Sequence, residues 1–392
     1  MLRKTVVASA AAALAFVLAG CGGGGGSSGG SGGSNPPPPP APQLGTGDHS
    51  PSSVTFTALT APGLALSDPS DLAFSPVTPG ELWIVSRGDQ SLVIWDNVAA
   101  ATITGERINS ANDGNWGHFF ANGFGIAMGA NTSTVGNGWT FATAQDATRT
   151  GDNFMGPTLW SLDRNVIGHY PPGAAPMGLG SHLDMLHSTR FAKGICHEAG
   201  NVFWVVGEAY NTVASGTPKV CLTRYDFKVD HLAGYDNHSD GERWHYAEDA
   251  IATVAGVPSH MYFSTATNKL YVADSGNGRI AVLDPSTGGT PASAVCHSGD
   301  GTAWRVAGAS VTSLVPPGSF LTTPAGLEFH QGMLFVSDYA TGIIHAFDFN
   351  GNRLNWLDTG LGANAVTGLA FGPDGKLYFC DKLNDRIVRI DP

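Results

Sequence analysis

Four histidines, His118, His182, His187 and His260, fall in stretches without strand pattern, and each can offer a neutral imidazole nitrogen to a metal ion. Three of them converging from distant parts of the chain would hold a divalent, zinc-like ion and leave one position open for water or substrate. Arg87, Asp89, Tyr210, Asp274, Arg279, Asp338, Asp381 and Asp385 occupy polar turns between β-rich runs. They supply many candidate acids, bases and cations, none paired by sequence spacing alone. The run from Asp236 to Gly241 puts oxygen donors at alternate positions before a glycine, as the start of a calcium loop does. Asp236, His238 and Asp240 would be its ligands. Its departures are His238 at the third position and Ala247 where the twelfth-position Glu belongs; a polar Asx-turn loop is the plainer reading. No Cys-x-x-Cys-His, Gly-x-Ser-x-Gly or phosphate-binding glycine loop is present, so covalent haem and the common serine-hydrolase arrangement lack support.

These residues have to be positioned by a repeat. A short apolar run, a turn, a second β-rich run, a polar loop and a third run ending near an Asp recur along the chain. The clearest copies are 261–284, 327–348 and 369–391; looser ones span 72–96, 126–163 and 195–226. All six close on an acid: Asp96, Asp163, Asp226, Asp284, Asp348 and Asp391. Alternating patterns broken by Gly, Asn and Asp predict small antiparallel sheets, with helical periodicity nearly absent. One such sheet cannot bury both of its faces; placed radially, neighbours bury each other. The expectation is an all-β, six-bladed β-propeller of four-stranded blades spanning 51–392, with seven blades as the alternative if 97–123 hides part of one. The last copy has no fourth run, and Ser53–Thr60 is positioned to supply it, closing the ring and covering an exposed edge. In such a ring, the loops leading into first strands and those joining second to third strands share one rim. There His118, His182, His187 and His260 would meet the turn residues around a central funnel.

The Leu-Tyr, Asp, Asn and Arg-Ile spacing of Lys269–Ile280 and Lys376–Ile387 resembles the NHL-repeat propeller family. A partial resemblance to peptidyl-hydroxyglycine amidating lyases rests on Arg87-Gly88-Asp89, Tyr210, Pro258-Ser259-His260 and Asn277-Gly278-Arg279. It implies a six-bladed propeller with a three-His zinc site and a structural calcium, with Arg87, Tyr210 and Arg279 as catalytic residues. Two of the three zinc histidines have no counterpart: the chain reads Ala142–Ala147 and Val366-Thr367-Gly368 at those places.

The N-terminus reads as an export signal. Arg3 and Lys4 precede an alanine-rich apolar stretch to Leu18, too short for an ordinary transmembrane helix of about 20 residues. Leu18-Ala19-Gly20-Cys21 resembles a bacterial lipobox, which implies cleavage after residue 20 and lipidation of Cys21; Gly22, rather than Asp, favours the outer membrane. Residues 21–50, rich in Gly and Ser and then in Pro, make a flexible and then stiff tether. A net charge of −12 argues against nucleic acid as partner. Only 13% of residues are charged, against about 25% in typical domains, which suits a β-rich protein with tight turns. Cys196 and Cys221 fall on first and third strands of one blade, too far apart for a disulfide. Two functions stay open: a surface-anchored, monomeric propeller binding a protein, glycan or small ligand at its funnel, and a metal-assisted extracytoplasmic lyase or hydrolase on the same rim.

Overall fold

The computed structural model describes residues 41–148, 155–170, 178–209, 219–235, 237–294 and 299–392. Cys21, Tyr210 and Asp236 lie outside them. Among the described residues no helix is long and apolar enough to cross a membrane.

Among the described residues six sheets follow one another along the chain, antiparallel but for one strand pair. Blade 1 runs Pro69–Phe74, Leu82–Ser86, Ser91–Trp95, Gly105–Ile108; blade 2, Gly123–Asn131, Trp139–Gln145, Thr158–Ser161, His182–Met185. Blade 3 begins Thr189–Ala199, Val202–Ala209, Lys219–Asp226, Glu242–Tyr246, and blade 4 is Met261–Ser264, Lys269–Asp274, Arg279–Asp284, Ser310–Val315. Blade 5 is Pro324–His330, Met333–Asp338, Ile343–Phe347, Arg353–Asp358. Blade 6 joins Val366–Phe371, Leu377–Asp381 and Arg386–Asp391 to Thr55–Leu59, which pairs antiparallel with the last strand from Thr55 opposite Asp391 to Leu59 opposite Ile387. The ring is therefore closed by the N-terminal strand. Residues 97–123 hold the outer strand of blade 1 and one helical turn, Trp116–Phe119, which leaves no seventh blade.

Period-two alternation explains why the sheets stack. Leu82 and Ile84 point into the seam with blade 6, whereas Trp83 and Val85 point into the seam with blade 2. Phe203 and Val205 face blade 2; Trp204 and Val206 face blade 4. Each seam between neighbours holds its own apolar cluster, so every blade depends on two others for its burial. Around the axis the inner strands approach closely. A side chain at Gly194 would meet the Ser259 carbonyl at 2.3 Å, and one at Gly326 the Thr367 carbonyl at 2.1 Å. Hydrogen bonds stitch the inner strands together: Ser259 N to Lys193 O (2.8 Å), His260 N to Ala325 O (2.9 Å), Thr367 Oγ1 to Pro69 O (3.0 Å).

One blade breaks the pattern. Between its third and fourth strands, blade 4 sends an excursion to blade 3, adding Ala292–Ser293 and Thr302–Val306 to give a six-stranded sheet. Thr302–Val306 runs parallel to the outer strand Glu242–Tyr246. This covers the edge of blade 3 and carries Asp300 toward blade 2.

Candidate functional site

All six inner strands line one axial cavity of about 320 Å³, from Asp71 and His260 to Phe74, His197 and Phe371 beside the turns into the second strands. Two carboxyls and an imidazole stand out among its titratable groups. Asp71, on the blade 1 inner strand, accepts hydrogen bonds from the Leu72 and Ile126 amides, both at 2.9 Å. Burial outweighs these two bonds and pushes its carboxyl up to about 8. Glu328, on the blade 5 strand, is half-buried facing the lumen; depth within the ring, with added repulsion from Asp71, raises it to about 8 as well. His260 Nδ1 lies 3.4 Å from Asp71 Oδ1. Burial lowers the imidazole to about 4, against a contact with the Phe124 carbonyl. Near neutral pH the cavity therefore presents two mostly protonated carboxyls and a neutral imidazole beside the aromatic rings of Phe74, Tyr262, Phe263 and Phe371.

The funnel was expected at the other end, on the rim of strand-two-to-three turns. There, Arg87 pairs with Asp68 at 2.7 Å and approaches Asp146 at 3.6 Å, while Lys193 pairs with Asp146. Both cations lie over the Phe124 ring, at 4.6 Å and 5.0 Å from its centroid. Lys382 reaches Asp68 at 3.4 Å and Tyr339 Oη at 3.2 Å. This cluster of three cations and two carboxylates lines none of the cavity, which belongs to the opposite half of the channel.

Of the four histidines, only His260 lines the axial cavity; His118 and His182 interact with each other, and His187 packs against His238 beside them. His260 faces the axis. His182 belongs to the outer strand of blade 2 rather than to a loop, three strand spacings or roughly 14 Å from the inner strand. Its Nδ1 donates to the Leu179 carbonyl (2.9 Å), Phe119 stacks on its ring, and burial, helped by His238 and His118, lowers it to about 3. His118 is on the helical turn before blade 2, and His187 on the short link into blade 3.

His187 instead belongs to a second constellation, in the seam of blades 2 and 3. Its Nδ1 donates to Asp300 Oδ1 (3.0 Å), and Arg243, fully buried on the outer strand of blade 3, donates to Asp300 Oδ2 (2.6 Å). Burial opposes ionisation of Asp300, but the His187 hydrogen bond and the charges of His187 and Arg243 outweigh it and hold the carboxyl low. His238 bonds Asp184 Oδ1 through Nδ1 at 2.7 Å, and His231 Nε2 meets Asp240 Oδ1 at 2.8 Å. Asn237 also accepts from the Ser239 amide, so an Asx turn exists within the expected calcium loop while His238 and Asp240 turn toward blade 2 and His231.

Arg279 is engaged in a clasp. Asp274 accepts from Arg279 Nε (2.7 Å) and Asn277 Nδ2 (2.9 Å), and Arg279 also donates to the Ala250 carbonyl (2.6 Å). Asp381, Asn384 and Arg386 repeat the Asp–Asn–Arg arrangement in blade 6. The repeat signature thus ties the end of the second strand to the start of the third.

No protein-family model matches the sequence, and no curated protein does. Solved structures do. A gluconolactonase of Xanthomonas campestris is 14% identical, with a TM-score of 0.49 over 92% of this chain and 95% of its own. An auxiliary nutrient binding protein of Bacteroides ovatus gives 13% and 0.45 over 86% and 76%; virginiamycin B lyase of Staphylococcus aureus gives 10% and 0.45 over 86% and 99%. The likeness is one of fold. Binding proteins and enzymes stand side by side among these neighbours, and none assigns an activity to this chain.

Proposed function

We propose that this propeller is a surface-anchored, extracytoplasmic binding protein that takes a small, neutral, hydroxylated molecule in its axial channel. The observation that carries this reading is the cavity bounded by all six blades in which Asp71, Glu328 and His260 are held near neutrality. Its volume lies at the small end of ligand pockets, which run from about 300 to 1,000 Å³. Protonated carboxyls donate and accept hydrogen bonds, and the rings around them suit the C–H faces of a sugar-sized compound. An anion would meet repulsion from whatever fraction of the acids is ionised. Surface anchoring is supported by the lipobox-like Leu18–Cys21 and the Gly/Ser/Pro tether that follows.

A neutral hexose, its amino sugar and its aldonic acid are close in size and differ in charge. Thermal-shift and calorimetric titrations of the full chain near pH 7 are expected to favour the hexose, with affinity falling at least tenfold in Asp71→Asn or Glu328→Gln. Preference for the aldonic acid, or affinity unchanged in both variants, would overturn the channel assignment. Labelled fatty acid is expected on the wild-type chain and absent from Cys21→Ala; equal labelling, or none in the wild type, would remove the anchor.

A further inference from the structure

The described parts of the link between the third and fourth strands of blade 3, residues 227–235 and 237–241, fold back onto the outer strand of blade 2. The Gly234 amide donates to the His182 carbonyl at 2.8 Å, and the His231 amide to Leu183 O at 3.4 Å. This brings His231 and Asp240 to Asp184, and one donor atom from each of the three lies within 4.8 Å of the others. Asp184 is 1% exposed. Its Oδ1 accepts from the Met185 amide and bonds His238, but its Oδ2 is buried with no hydrogen-bond partner among the described residues. A buried carboxylate oxygen left unpaired is costly, and a bound cation, like a proton, removes that cost.

We infer that Asp184, His231 and Asp240 form a divalent transition-metal site that staples the 227–241 link to blade 2. The donor set decides the class of ion. An imidazole nitrogen with two carboxylates suits a zinc- or manganese-like ion, whereas calcium takes six to eight oxygens. Donors about 2.0–2.2 Å from zinc stand roughly 3–3.5 Å from one another. His231 Nε2 and Asp240 Oδ1 stand 2.8 Å apart in a hydrogen bond that the ion would replace, and these two side chains, partly open to solvent, have the freedom to close on Asp184. The His238 hydrogen bond fixes the plane of the Asp184 carboxylate, as partners behind metal ligands commonly do.

The test uses the full chain, stripped with a chelator, dialysed and titrated separately with Zn²⁺, Mn²⁺ and Ca²⁺, with metal content measured after gel filtration. One equivalent of Zn²⁺ or Mn²⁺ is expected, raising the melting temperature. His231→Gln and Asp240→Asn, both at partly exposed positions and checked for the wild-type β-sheet spectrum, are expected to lower affinity by more than about 100-fold, beyond the range typical of partners behind the ligands. Preferential binding of Ca²⁺ would overturn the metal class. No stoichiometric metal, or full retention in both folded variants, would overturn the site.

Discussion

The axial channel and the seam between blades 2 and 3 are both lined by buried polar groups, yet they are built in opposite ways. In the channel every blade contributes the same element, its inner strand, and charge is avoided: Asp71, Glu328 and His260 are driven toward their neutral forms by burial. In the seam the contributing pieces are irregular. An outer strand supplies Asp184, a link supplies His231 and Asp240, and an excursion from blade 4 supplies Asp300; here the charge on Asp300 is kept and paired with Arg243. The repeat builds a scaffold around neutral polar groups, and one departure from it, the blade 4 excursion, brings in an acid that stays ionised.

Breaking the seam is expected to have the largest effect. Arg243→Ala leaves Asp300 ionised and buried with only part of its compensation, so unfolding by urea is expected to reveal a loss of about 3–5 kcal/mol. Ligand affinity in the channel should stay within about twofold. A loss under about 1 kcal/mol would mean that the seam tolerates an unpaired charge and that the contrast with the channel is false.

The channel responds to pH with a definite sign. Asp71 and Glu328 have folded-state values raised to about 8, so their contribution is fully present below the unfolded values near 4 and is lost as pH rises through about 8. His260, lowered to about 4, contributes above its unfolded value near 6.5 and loses that contribution as pH falls through about 4. Melting curves between about pH 5 and 9 should show the wild type losing stability with rising pH relative to an Asp71→Asn, Glu328→Gln double variant. Parallel pH profiles for the two proteins would remove the neutral-channel half of the comparison.

Arg279→Ala gives the smallest expected effect. It removes the charge-assisted bond to Asp274 at a partly exposed position, costing about 1–2 kcal/mol in stability while leaving hexose affinity unchanged. An affinity loss larger than the stability loss would return Arg279 to the functional residues, where the resemblance to amidating lyases put it.

The scaffold was legible because its signal repeats. Six Asp-terminated copies, the Asp–Asn–Arg spacing and the unpaired run at Ser53–Thr60 each follow from local pattern, and each corresponds to a blade, a clasp or the closing strand. The seam was not legible. Asp300 lies 113 residues from His187, and no spacing rule connects an excursion of one blade to a link into another. His182 was expected on a loop because the third and fourth strands of blade 2 are only four residues each, too short to show period. The channel acids left a faint signal: Asp71 precedes Leu72-Ala73-Phe74, and Glu328 interrupts Leu327 and Phe329, each the only carboxyl on its inner strand.

Infrared difference spectroscopy of the carboxyl C=O stretch tests the neutral channel most directly. Near pH 6 the wild type minus the Asp71→Asn, Glu328→Gln double variant should show a carboxylic-acid band that converts to carboxylate only around pH 8. A difference spectrum containing carboxylate alone near pH 6 would contradict the account, because ionised acids would line the cavity where neutral donors are required.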